Sequence, residues 1–263
     1  MRTLIKIFIA LGLCHNCLGQ TTVQLAPPML KYPSVFFTNA AIVEMKFAQI
    51  GTHIYYTLNG QQPTVKDKIY KIPLKINQSF TTLKAITAGT GFLASEIVSA
   101  TFVKDGLGIK TEQHSTPNEK YKGNGANTLF DNEGGVANMK STNWIGYQED
   151  SVEITVEMKT SQQLHSVLLD FLEDYKSWIF LPQSISVDYF NQSSQGFEKF
   201  SEKFFELDKR ASGPDCRPIL LTAEKIIVTD KLKIKLYGIS SLPDWLPGKR
   251  KHGWIFLDEI KVY

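Results

Sequence analysis

Val152-Glu153-Ile154-Thr155-Val156-Glu157-Met158 alternates without a break, with Val152, Ile154, Val156 and Met158 on one side and Glu153, Thr155 and Glu157 on the other. Successive side chains leave a strand on opposite faces, so a period of two predicts an antiparallel strand with one face on a core and the other in water. Leu232, Ile234 and Leu236 alternate with Lys233 and Lys235 in the same manner, and further strands are predicted at 164–171, 185–190, 225–228 and 255–262. Roughly eight strands with long loops and no helical periodicity predict a jelly roll or a related sandwich from residue 128 onward. Within it, residues 195–205 carry Phe197, Phe200, Phe204 and Phe205, which fit either a helical stripe or a bulged strand, with core packing as the expected role of the rings.

Upstream, short β-rich runs at 41–47, 53–58, 82–88 and 98–103 are broken by Pro and by Asn59-Gly60. Runs of that length with hairpin punctuation predict a small antiparallel sandwich over residues 20–103. Residues 104–127 are polar and rich in Gly, Asn, Lys and Thr, with no apolar face to bury, and are expected to be a linker with the leading loops of the second domain, 128–263. The fold class predicted is therefore all-β: a small antiparallel β-sandwich followed by a larger β-sandwich.

Residues 1–19 have a basic start (Arg2, Lys6), a short apolar run and a small residue, Gly19, at their end, the layout of a secretory signal peptide cut before Gln20. The apolar run is too short to span a bilayer, so no transmembrane segment is expected. Leu13 before Cys14 and Asn16 before Cys17 are the wrong size for a lipid-anchoring motif. The chain has 29 Lys and Arg against 26 Asp and Glu, and loss of Arg2 and Lys6 with the leader leaves it within one charge of neutrality. Nucleic acid and anionic lipid both require a concentrated cationic surface, so neither is expected as a partner. Cleavage also leaves Cys216 as the one cysteine, which excludes an intramolecular disulfide and a cysteine metal cluster.

Two stretches carry a resemblance. His53-Ile54-Tyr55-Tyr56-Thr57-Leu58-Asn59-Gly60-Gln61-Gln62-Pro63-Thr64, followed by Ile69-Tyr70 and Pro73, resembles the chitobiase/β-hexosaminidase C-terminal-like (fibronectin type III-associated) module, with Asn59 in place of that family's usual Asp. Its sense is structural: the Tyr pair on a strand, Asn-Gly closing a hairpin, Pro63-Thr64 starting a turn. The second half, through Leu129-Phe130-Asp131, Thr142-Asn143-Trp144-Ile145-Gly146-Tyr147, Ser177-Trp178-Ile179-Phe180-Leu181-Pro182, Leu242-Pro243-Asp244-Trp245 and Trp254-Ile255-Phe256-Leu257-Asp258-Glu259-Ile260, resembles a coagulation factor V/VIII type C (discoidin-like) domain. It is similar to the form at the C-termini of bacterial family 20 β-N-acetylhexosaminidases and to family 32 carbohydrate-binding modules. The His-x-Gly-Gly-Asp-Glu block of those enzymes' catalytic barrel has no counterpart here. Asp258-Glu259 is the one adjacent acid pair in the last strand, and simple alternation would send its two carboxylates to opposite faces.

The resemblance implies a structural Ca²⁺ held by Asp131 and Glu259 with Thr142 as a further oxygen ligand, an all-oxygen set suited to a hard cation. The competing reading is that Asp131 caps a turn and Glu259 makes a salt bridge. Asn132 stands where the family has Gly. A sugar site needs exposed aromatic faces with hydrogen-bonding side chains beside them. The candidates are Trp144 and Tyr147, Tyr175, and Trp245 with Arg250 and His252, whereas Trp178 and Trp254 each precede an apolar run and are expected in the core. The function expected is non-catalytic carbohydrate binding by an exported bacterial protein, periplasmic, cell-surface or secreted, taking a terminal amino sugar or galactose-type residue. The alternatives are a protein-interaction scaffold for a glycoside hydrolase and the remnant of a β-N-acetylhexosaminidase.

Overall fold

The structure is a computed structural model that describes residues 23–125, 127–207, 213–246 and 252–263. The expected signal peptide, and Lys249, Arg250 and Lys251, lie outside the described residues. The strands of the first module are β1 (Met29–Lys31), β2 (Phe36–Phe37), β3 (Ala41–Lys46), β4 (Thr52–Thr57), β5 (Lys68–Ile69), β6 (Leu74–Ile76), β7 (Thr81–Gly89) and β8 (Val98–Lys104). They form a three-stranded sheet β1-β3-β6 facing a five-stranded sheet β2-β8-β7-β4-β5. Val43, Leu83, Ala85 and Phe102 are among the residues buried between them. Asn59-Gly60 does not close a tight hairpin as expected: Gly60, at φ +76°, donates its N–H to the Thr82 carbonyl, and the chain runs on to β5 through a longer loop.

The second module comprises β9 (Ile109–His114), β10 (Ile145–Tyr147), β11 (Ser151–Glu173), β12 (Ser184–Asn191), β13 (Gly196–Phe204), β14 (Asp215–Tyr237) and β15 (Ile255–Val262). Among the described residues the helices are two 3-10 turns, Thr128–Phe130 and Tyr175–Ser177, and no helix is long and apolar enough to cross a membrane. The separate strands expected at 152–158 and 164–171 are one ladder, β11, antiparallel to β14 along its length and broken by register shifts between Glu157 and Gln162 and between Leu164 and Ser166. Bulges bend a strand and raise its twist, so a single hydrogen-bonded sheet folds over on itself. Its first part pairs with β9 and its last part with β15, and both line the same core through Val152, Ile154, Leu169, Phe171, Leu232 and Ile260. Residues 109–114, expected as linker, are thus an edge strand.

The phenylalanine segment is a strand, β13, with a register shift against β12 between Val187 and Asp188. Phe200 is buried and Phe205 packs on the core, but Phe204 is exposed and Phe197 lies under the Lys233 ammonium, 4.5 Å from its ring centroid. Core packing therefore holds for only two of the four rings. The modules touch directly. Phe36 and Val103 of the first bury against Leu168 of the second, the Tyr263 hydroxyl donates to the Lys104 carbonyl at 2.6 Å, and Ser34 Oγ donates to the Asn132 carbonyl at 2.7 Å.

Candidate functional site

The turn Thr128–Phe130 is anchored by Leu129, fully buried against the core, and delivers Asp131 and Asn132 to the outer face of β15. Asn132 adopts φ +64°, a left-handed conformation that Asn tolerates, so the loop keeps a path that would otherwise ask for Gly. Its backbone N–H donates to Glu259 Oε2 at 2.9 Å. Two residues along the same strand and therefore on the same face, Lys261 places Nζ 2.9 Å from Glu259 Oε1 and 3.1 Å from Asp105 Oδ1. The ammonium also donates to Asn132 Oδ1 and sits 5.3 Å above the Phe36 ring of the first module. Glu259 is inaccessible to water, and burial pushes its carboxyl up to about 8 against the downward pull of Lys261 and the Asn132 N–H.

These residues do not fit a calcium ion. Of the three expected ligands only Glu259 reaches the Lys261 ammonium, which takes its Oε1; Asp131 Oδ1 instead accepts the Glu133 N–H at 2.8 Å, capping the turn; and Thr142 is exposed beside a separate hollow lined by Lys122, Met139 and Trp144. Among the described residues no group of three or more His, Cys, Asp or Glu is arranged to hold a metal. Lys261 and Asp105 were not singled out from sequence, although the Glu-x-Lys spacing on a strand was the signal for the first of them.

The acid pair also departs from simple alternation. In the β11–β15 ladder Asp170 faces Glu259 and Phe171 faces Leu257, leaving Asp258 as the bulged residue. Both acids therefore reach the loop above the sheet: Glu259 takes the Asn132 N–H and Asp258 Oδ2 takes the Gly135 N–H. Gly135 must lack a side chain, since a Cβ there would lie 2.3 Å from the Trp144 ring. The bulge also sets Asp258 beside Asp170, and each of these two buried carboxyls acts on the titration of the other. Burial raises both, Asp170 to about 7 and Asp258 well above the ordinary carboxylate range. Asp170 was legible as the lone acid in Val167-Leu168-Leu169-Asp170-Phe171-Leu172, but was not picked out.

Of the expected sugar-binding aromatics, three are core. Trp144 and Tyr147 are each 1% exposed; the Trp144 indole N–H donates to the Val136 carbonyl at 3.0 Å and the Tyr147 hydroxyl lies 3.1 Å from His114 Nδ1. A polar tip with a partner lets such a ring be buried whole. Tyr175 packs with Phe180, Ile239 and Leu242. It underlies Trp245, its ring centroid 6.0 Å away and tilted by 34°. Trp245 is the exposed one, at 38%, in a turn closed by the Leu246 N–H on the Pro243 carbonyl. His252, on the same β14–β15 connection, is half-buried with Nδ1 3.3 Å from Asp150 Oδ1, and its carbonyl accepts from Gln148 Nε2. Trp178 and Trp254 each pack one side against a buried cluster, as expected, and keep the other partly open.

The fold and this site define a two-module all-β protein, a small two-sheet sandwich docked on a jelly roll. Residues 33–100 match the family model of the Chitobiase/beta-hexosaminidase C-terminal domain. Among solved structures, the chain is similar to the family 32 carbohydrate-binding module from Streptococcus pneumoniae EndoD (TM-score 0.39, 11% identity, 60% of this chain and 96% of that one). It is similar to the CBM32 of AlyQ in complex with 4,5-unsaturated mannuronic acid (TM-score 0.38, 10% identity, 60% and 96%). It is also similar to reduced XRCC1 bound to the DNA polymerase β catalytic domain (TM-score 0.37, 13% identity, 60% and 97%). No characterised protein matches the chain in sequence.

Proposed function

We propose that the chain is an exported, non-catalytic carbohydrate-binding accessory that takes a terminal amino sugar or galactose-type residue at the loop end of its second module. The observation that carries this reading is Trp245, an indole left open to water yet backed by the Tyr175 ring, a pre-formed face for the apolar side of a pyranose. His252, on the same connection, and Asp150 and Gln148, on the β10–β11 loop that contacts it, supply hydrogen-bonding groups for the hydroxyls. One stacked ring with a few hydrogen bonds exchanged against water supports a dissociation constant on the order of 0.1 to 1 mM. Trp245→Ala is expected to abolish glycan binding, read by arrays and calorimetry, while leaving the melting temperature within about 2 °C, because an exposed ring contributes little to the core. A matching fall in stability would make the ring structural, and silence of the unmodified protein at millimolar ligand would defeat the reading.

Export is part of the proposal and rests on the leader-like residues 1–19. Intact-mass analysis of the exported protein is expected to find Gln20 as the first residue, and a retained leader or a lipid-modified Cys14 or Cys17 would contradict it. The division into two modules belongs to the same reading, with the boundary in the short segment between β8 and β9.

A further inference from the structure

We propose that the cleft between the two modules is a second ligand site, independent of Trp245, that takes a donor-rich ring bearing a positive charge, of which a glucosamine residue is the type. The cleft has a volume of about 460 Å³, room for one or two sugar rings. One wall belongs to the first module, with Tyr32, Phe80, Thr82 and Ser99, and the other to the start of β14, with Asp215 and Arg217. Phe80 stands at the lip, 40% exposed, on a backbone at φ +57° and with its ring against Tyr263. Aromatic faces and hydroxyls on one side and charged groups on the other are the surfaces a pyranose needs.

The floor selects the ligand. Asp170 lines the cleft, is 2% exposed, and its Oδ1 has no donor from the protein. An oxygen left without a donor favours a ligand that brings N–H or O–H groups to the space above it. The cations of the walls are already matched: Arg217 pairs with Glu173 at 2.5 Å, and Lys84 acts on Asp215. What remains without a counter-ion is the Asp170–Asp258 pair, whose ionised form an ammonium would favour. A uronate or a sulfated sugar would add a like charge to it, whereas an ammonium would complement it.

The test is methyl-resolved NMR of the full chain titrated with glucosamine, with glucuronate and ethanolamine as comparison probes. Glucosamine is expected to shift the methyls of Ala100, Val103, Val136 and Ala137. Ser99→Trp, which fills the cleft from its rim without removing a buried contact, and Asp215→Asn should each weaken those shifts at least tenfold. Trp245→Ala should leave them unchanged, which separates failure of this site from failure of the loop site. Shifts confined to the Trp245 loop, shifts insensitive to Ser99→Trp, or equal binding of glucuronate would overturn the proposal. Equal binding of ethanolamine would reduce the cleft to an amine site and overturn its assignment to a sugar.

Discussion

Lys261→Met is expected to destabilise the second module by about 3 kcal/mol, a fall in melting temperature of roughly 6 to 12 °C for a chain of this size. The side chain is 5% exposed and its ammonium has four partners, Glu259, Asp105, the Asn132 amide and the Phe36 ring. Removing one member of a buried pair leaves the other without its counter-charge, and that penalty exceeds what the pair contributed over a neutral replacement. The value sits at the low end of the usual range because Glu259, already raised to about 8, can answer by staying protonated. The parent holds the same proton up to about 8, so the loss should be nearly level from about pH 5.5 to 7 and grow only as pH passes 8, where the parent ionises Glu259 beside Lys261 and the variant cannot. Glu259→Gln in the same chain should remove that pH dependence, since the amide oxygen can still accept the Asn132 N–H. The unmodified protein should also be indifferent to chelator and to added Ca²⁺, because Asp131, Thr142 and Glu259 do not converge and Lys261 takes the Glu259 oxygen. A melting temperature that fell with chelator, or a Lys261→Met shift under 2 °C, would return these residues to the calcium reading.

How much of this was legible in the sequence depends on how local the signal is. Val152 to Met158 and Leu232 to Leu236 announce strands because one face of each meets a core and the other meets water. β2 and β5, of two residues each, are too short for any period to show. β9 hides for another reason: it is an edge strand, paired on one side only, and so does not need the apolar run that would have marked it. The site was harder to read, because bulges invert parity. Alternation places Asp258 and Glu259 on opposite faces, and one unpaired residue in the ladder turns both toward the loop 132–135. Trp245, between Pro243 and Pro247, was legible as a loop-tip ring, whereas Trp144 was not legible as core. Trp144 follows the polar Ser141-Thr142-Asn143, and what buries it is the close approach of Gly135 and the Val136 carbonyl that takes its N–H.

Stability of the chain is expected to fall as pH rises from 5 to 8, contrary to the usual behaviour of proteins held by ionised carboxylates. In the unfolded chain the carboxyls lose their protons near pH 4, whereas in the folded state burial keeps the proton on Asp170 to about 7 and on Asp258 well above its ordinary value. Glu259 is pushed the same way, to about 8. Between these limits the folded state binds more protons than the unfolded one, so each added pH unit costs about 1.4 kcal/mol per retained proton. The contribution is complete below pH 4 and is lost as pH climbs through 7 to 8. Glu198, held low by Tyr189, Ser194 and Asn191, acts in the opposite sense, but only below the ordinary glutamate range and so outside this window. Asp258→Asn tests whether the pair holds a proton between its carboxyls. Its amide oxygen can take the Gly135 N–H while its NH₂ donates permanently to Asp170, replacing a proton that pH can remove with one that it cannot. The variant should match the parent at pH 5, exceed it at pH 8, and show a shallower slope between them in urea denaturation at constant ionic strength. A parent whose stability is flat or rising across pH 5 to 8, or an Asn variant with the parent's slope, would show that the two aspartates do not share a proton in the folded state.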